Sequence, residues 1–396
     1  MREEAYRCVA KVVELHYKHL AQSYMDALYP MTVQTITTDR EDVAKQAVEF
    51  WSTLCEVELE REEEGEPSFE YMKKAMPHLI GTLLATLERQ DEDGDGDDWD
   101  LSKYASWCMN LISLTVKDPV VDHVMPYITQ NVQQADWRKR DAAIMAFGNV
   151  LDGPEDTQKM ATIVQQAMQL LVASLVDPNI HVKDTTAWTL SEITRLHATA
   201  IPFQQLMPLL TNLMTALDDE PRVATKCCRV LHQLAEQKDE IGGGQPWLTA
   251  QIMGPVMQKV IKVVERDDGD EHNLRAGAYE ALNMLVESHG EDCRGLVLEL
   301  STWVLTKLTQ SLQANTLTDE DRQNNQEVQG LLTATMNYVV KSVSADEVKH
   351  FGDTLMQCLL QVLTQKGSSV ASEEVLLCVG MFAGKLEDYF ERCVYW

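Results

Sequence analysis

The apolar positions of this chain recur at helical spacing, and the recurrence itself repeats. In DPNIHVKDTTAWTLSEI (177–193) and EPRVATKCCRVLHQL (220–234) an acid and a proline open each segment. With Val182 and Val223 as equivalent anchors, small or apolar residues follow at plus five, eight and eleven: Ala187, Leu190 and Ile193 in one, Cys228, Leu231 and Leu234 in the other. Those offsets share one helical face. The same template fits Val9, Val12 and Leu15 after Glu4; Val48, Trp51 and Leu54 after Val43; and Ile144, Phe147 and Val150 after Lys139. It also fits Tyr279, Leu282 and Leu285 after Leu274, and Val375, Cys378 and Met381 after Val370. Leu101 and Val328 anchor weaker copies, through Met109 and Ile112 and through Met336 and Val339. Nine units result.

The nine anchors lie 39, 58, 38, 43, 41, 51, 54 and 42 residues apart, the period of HEAT or armadillo repeats with a few insertions. Between them lie second apolar stretches, often with an early proline, such as VMPYITQNV (124–132), TIVQQAMQLLVASLV (162–176) and IPFQQLMPLLTNLMTAL (201–217). Each repeat therefore reads as a helical hairpin, which buries its apolar stripe only by stacking on its neighbours. The expected fold is all-α: a right-handed, superhelical HEAT-repeat solenoid of about nine hairpins, one array over residues 1–396. MREEAYRCVAKVVEL starts mid-pattern and YFERCVYW ends on aromatics, so an array cut from a longer protein at both ends is expected. The intervals of 58, 51 and 54 carry polar insertions: VELEREEEGEPS (57–68) and DEDGDGDD (91–98), KDEIGGGQP (238–246), and NTLTDEDRQNN (315–325).

Charge narrows the range of partners. Lys and Arg total 34 against 62 Asp and Glu, a formal net charge of −28, which repels phosphate backbones and attracts basic segments. Direct nucleic-acid binding is not expected. The nine cysteines are scattered through helical patterns without a CxxC or a His/Cys ligand cluster, as expected of core residues in a reducing cytosol. No apolar run is long enough to span a bilayer. The glycines at 242–244 lack the following Lys-Ser/Thr of a phosphate cradle, and no histidine joins a nucleophile and an acid in a catalytic motif. No enzyme activity, cofactor or metal is expected.

The segment 91–98 holds six carboxylates in eight residues: Asp91, Glu92, Asp93, Asp95, Asp97 and Asp98. Such a run repels itself and reads as a solvated loop. One reading is a spacer. A second is a calcium loop, since Asp91, Asp93, Asp95 and Gly96 match positions one, three, five and six of an EF-hand, but Asp98 stands at position eight and Ser102 where a bidentate Glu is needed. A third is a docking loop for a basic partner, with Trp99 directly after the acids to stack on a Lys or Arg stem.

The acidic DEDGDGDDW (91–99), ADWRKRDAAIMAFGNVLDGPE (135–155), DPNIHVKDTTAWTLSEI, EPRVA (220–224), HNLRAGAYEALNMLVE (272–287) and, upstream, EDVAKQAVEFWSTLCEVE (41–58) together resemble the importin-β family of nuclear import receptors. The resemblance covers roughly residues 1–390. It implies a carrier, acting as a monomer, that holds basic cargo or the importin-β-binding segment of an importin-α-like adaptor on a concave acidic wall. It further implies release when Ran carrying GTP binds, docking to Phe-Gly nucleoporins, and residence in cytoplasm, nucleus and nuclear pore. By the same resemblance the acidic loop contacts partners, Trp99 and Trp188 match members of a tryptophan ladder, and Arg229 stands where a third tryptophan is usual. An Arg there repels a basic ligand. Tyr24, Leu28 and Met31 are similar to a Phe-Gly-binding helix, although every hairpin also needs such residues for its core. Trp51, Trp107 and Trp137 read as structural, and Asp141, Lys183 and Asp184 as links between repeats. The alternative from another class is a static assembly scaffold of the phosphatase 2A type.

Overall fold

The computed structural model describes residues 1–20, 22–90, 99–314, 318–365, 370–387 and 390, and every regular element among them is helical. The chain divides into two compact units, residues 1–212 and 213–396.

The first unit contains α1 (Arg2–His16), α2 (Gln22–Thr38), α3 (Glu41–Glu63), α4 (Tyr71–Leu87), α5 (Leu101–Val116), α6 (Pro119–Asn131), α7 (Trp137–Asn149), α8 (Thr157–Ser174) and α9 (Ile180–His197). Helix α10 (Phe203–Ala216) begins there and ends in the second unit, which continues with α11 (Pro221–Glu236), α12 (Ala250–Val264), α13 (Leu274–Glu287), α14 (Arg294–Gln313), α15 (Asp319–Ser342), α16 (Ala345–Thr364) and α17 (Val370–Leu386). In the first unit the odd helices α1, α3, α5, α7 and α9 pack each on the next, α2, α4 and α6 do the same, and α2, α4, α6 and α8 each pack on the odd helix that follows. The second unit repeats the scheme: α11, α13, α15 and α17 form the odd layer, backed by α12, α14 and α16. All nine sequence anchors fall on odd helices, and the intervening apolar stretches are the even ones.

Sequence explains this division of labour. The plus-five, plus-eight and plus-eleven positions of α3, α7, α9, α11 and α13 are all buried. The interior prolines Pro30, Pro77, Pro126, Pro208 and Pro255 all lie in even helices, α2, α4, α6, α10 and α12. Each removes a main-chain donor and favours a bend on that layer. The recurring acid-proline opening also has a mechanical role. Asp177 accepts two bonds from the Arg140 guanidinium, at 2.9 and 2.8 Å, and one from the Asn179 amide at 2.8 Å, while the Asn179 side chain caps α9. The start of α7 is thereby tied to the start of α9.

The template fails at its two outermost copies. Val12 and Leu15 are exposed, and α1 instead buries Tyr6 and Val13, with the Tyr6 hydroxyl bonded to the Met31 carbonyl and to Thr35. Met381 is exposed, and Phe382 beside it is fully buried. Two insertions are also shorter than their composition implies, because residues 57–63 continue α3 and 319–325 open α15. Glu58 shows why: it is buried, accepts from the Tyr17 hydroxyl at 2.6 Å, and accepts from the Tyr71 and Met72 amides at 2.8 and 3.3 Å. A carboxylate on α3 thus satisfies the first amides of α4, whose own N-cap, Glu70, makes no side-chain cap.

Candidate functional site

Among the exposed aromatic residues of the first unit, Trp107 lies on α5 and Trp99 just before it, while Tyr24 lies on α2, Phe69 before α4 and Phe203 on α10. Counting six residues on from the anchors Val43, Leu101, Lys139 and Val182 gives Glu49, Trp107, Met145 and Trp188, one per helix on α3, α5, α7 and α9. This position neighbours the buried plus-five residue, so it borders the core stripe and none of the four is fully buried. It forms a row across neighbouring repeats.

Trp188 lies in this row, half-buried, with its indole against α7. A Cβ built on Gly148 would stand 2.3 Å from the ring, so only glycine leaves room for it. Trp99 precedes α5 and is 57% exposed. Its ring meets Tyr104 edge-on at 5.5 Å, and the Lys45 ammonium stands 6.0 Å from the Tyr104 centroid while bridging Glu41 at 2.8 Å. An aromatic ring flanked by a carboxylate therefore already receives a cation there from the chain's own helix. The acidic residues Asp91, Glu92, Asp93, Asp95, Asp97 and Asp98 lie outside the described residues. Ser102, the last position of the calcium-loop pattern, is buried and donates to the Leu87 carbonyl at 3.1 Å.

The other tryptophans separate by environment. Trp51 is fully buried and donates to Thr32 at 3.0 Å. Trp137 is stacked on His181 at 4.9 Å and covered by the Arg138 guanidinium at 4.5 Å. Trp107, read from sequence as structural, is 46% exposed, and its indole lies beside the Glu56 carboxyl. Burial raises the Glu49 carboxyl above its usual range, and burial together with the charges of Glu49 and Glu14 raises Glu56. The exposure of Trp107 was not legible in the sequence, because an aromatic next to Cys108 in an apolar helix looks like core. The available signal was its register, the same as that of Trp188.

Asp141 is buried and accepts from Gln90, which joins α7 to the end of α4. Lys183 and Asp184 are half-buried, each with an interaction partner. Arg229 is exposed on α11 in the second unit. On the even side, Leu28 and Met31 line a groove of about 310 Å³ between α1 and α2, together with Tyr6 and Val9, whereas Tyr24 is exposed and not part of it. The opposite side of α2 faces α4 across a groove of about 240 Å³ lined by Met25, Tyr29, Trp51, Tyr71 and His78. A third groove, about 360 Å³, lies between α6 and α8 and includes Ile128, Phe147, Ile163 and Leu170. Among the described residues no group of three His, Cys, Asp or Glu side chains is placed to hold a metal ion, and no helix is long and apolar enough to cross a membrane.

Residues 208–395 match the family model described as importin subunit beta-1-like, TPR repeats, and residues 137–193 match HEAT-like repeats. Importin subunit beta-1 of Arabidopsis thaliana is 34% identical over 409 aligned residues, which cover 97% of this chain and 46% of that protein. Kap95p, solved in a study of how its binding induces the switch loops of RanGDP to adopt the GTP-bound conformation, superposes with a TM-score of 0.92 at 30% identity, over 99% of this chain and 46% of its own. A Kap95:Nup1 complex superposes with a TM-score of 0.89 at 30% identity and the same coverage. The chain spans about half the length of the curated relatives it matches. A helix-pair array, an acidic segment ending in an exposed tryptophan, and sequence similarity along nearly the whole chain agree: it belongs to the importin-β family.

Proposed function

We propose that this chain is the partner-binding part of a nuclear import receptor, and that the odd layer of its first unit receives a basic segment, from cargo or from an importin-α-like adaptor. The observation that supports this reading is the accessibility of Trp99, exposed just before α5, and of Trp188, half-buried on α9, in a chain of net charge −28. Indole faces take the aliphatic stems and positive heads of Lys and Arg, and surrounding carboxylates supply the long-range attraction. The segment 91–98 joins this site through its sequence position next to Trp99.

Relatives in complex with RanGDP and with Nup1 support the other two elements of the reading: docking to Phe-Gly nucleoporins and cargo release by Ran–GTP. For the first, the grooves on the even side are the sites, with Leu28 and Met31 in the groove beside α1. The receptor then works between cytoplasm, nucleus and pore, without chemistry of its own.

The test is fluorescence anisotropy with a labelled Lys/Arg-rich peptide. Binding that is lost when residues 91–98 are neutralised and Trp99→Ala and Trp188→Ala are combined supports the site; unchanged affinity in that variant rejects it. Retention on Phe-Gly beads and displacement of the peptide by Ran–GTP distinguish an import receptor from a static scaffold, which would show neither.

A further inference from the structure

The row of positions six residues after each anchor contains one tryptophan that family resemblance does not mark. Trp107 on α5 occupies the same repeat position as Trp188 on α9, with Met145 of α7 between them in the row and Glu49 of α3 before them. Nearly half of its surface is open. Its indole lies beside the Glu56 carboxyl of α3, the helix packed against α5.

We propose that Trp107 is a further anchor for a basic segment, its ring receiving the stem of a Lys or Arg whose charged head is met by Glu49 and Glu56. This rests on the import-receptor reading above and adds a residue to the same face. Charge complementarity commits the occupant. Beside the ring stands Glu56 of α3, and the charges of Glu49 on the same helix and of Glu14 on α1 both act unfavourably on it. Carboxylates crowded beside an exposed aromatic ring are relieved by an incoming cation and aggravated by an acidic segment.

The position also gives the partner a path. Trp99 lies just before α5, Trp107 lies near its middle, and Trp188 lies two odd helices further on. An extended basic segment crossing the layer from α3 to α9 meets Glu49, Trp107, Met145 and Trp188 in turn.

The experiment titrates the full chain with a fluorescein-labelled peptide of Arg, Lys and Gly, using Trp107→Ala, Trp107→Phe and Glu56→Gln, with thermal melts alongside. Trp107→Ala is expected to weaken binding about five- to tenfold at an unchanged melting temperature, within the range of a partly desolvated cation–π contact. Trp107→Phe should retain most of the affinity, and Glu56→Gln should weaken binding and flatten its salt dependence. If Trp107→Ala binds like the parent while Trp99→Ala and Trp188→Ala do not, the anchor is wrong and the receptor reading stands. If the parent chain itself ignores the peptide, both fall together.

Discussion

Single side chains in this array are constrained by what the next repeat places against them, and two of them give direct tests. Gln329 on α15 is fully buried, and neither its amide nitrogen nor its amide oxygen has a hydrogen-bond partner among the described residues. A buried amide without partners costs about 1–3 kcal/mol. Gln329→Leu, of similar volume, should therefore raise the unfolding free energy by about that amount in a urea titration; a loss of stability would mean the amide is satisfied after all. Gly148 is the opposite case, a site with no room. A methyl group there meets the Trp188 ring at 2.3 and 2.8 Å and the Thr189 hydroxyl at 2.9 Å. Gly148→Ala should cost about 1–3 kcal/mol by overpacking and shift the tryptophan emission. Combined with Trp188→Ala, most of the cost should vanish, because the two changes share one contact; additive costs would contradict the packing described.

At the scale of the helix, the caps and the links between repeats carry the pH dependence. Glu347 closes a capping box with Ser344 at the start of α16 and takes the Arg294 guanidinium of α14 at 2.8 to 3.0 Å. Arg294 and the Ser344 donors hold its carboxyl down to about 2, below the usual 4.5. A depressed carboxylate stabilises the fold fully above its unfolded pKa and loses that contribution as pH falls from about 4.5 toward 2. Glu347→Gln should cost about 1 kcal/mol at neutral pH, the scale of a lost cap, and its melting temperature should converge with the parent's as the pH drops below 4. A gap that persists at low pH would point to packing instead. Element scale is also where the sequence was most legible. The period located every odd helix, because a stripe at plus five, eight and eleven admits few alternatives. It lost phase in α1, where apolar residues at 6, 9, 12, 13 and 15 satisfy two faces. There the choice was made by Tyr6 and Tyr17, whose hydroxyls reach Thr35 and Glu58. The insertion at 57–68 was over-read as loop because composition does not reveal that Glu58 has three donors waiting for it. Trp99 and Trp188 were legible as candidates, while Trp107 shared Trp188's register in the sequence but showed itself through its exposure in the structure.

For the whole molecule, the balance of 34 basic and 62 acidic residues sets how binding should respond to salt and to the one basic intruder at the ladder's register. Arg229 stands six residues after its anchor, where Trp188 stands in the preceding repeat. On α11 it adds an exposed cation, and the helix carries Arg222 and Lys226 as well, with Glu236 its only acid. A basic ligand meeting this helix would find neither an aromatic platform nor favourable charge at that position. Arg229→Trp should therefore tighten the Lys/Arg-rich peptide about three- to tenfold, from one stacking contact and one removed repulsion. Its affinity should still fall steeply between low and physiological salt, because the remaining carboxylates act through a field that ions screen. Arg229→Gln separates the two contributions: it removes the charge without supplying a ring, so it should recover only the salt-sensitive part of the gain. Equal affinities for the parent and both variants would place the peptide's path within the first unit alone, ending at Trp188, and would make α11 a surface the basic segment does not reach.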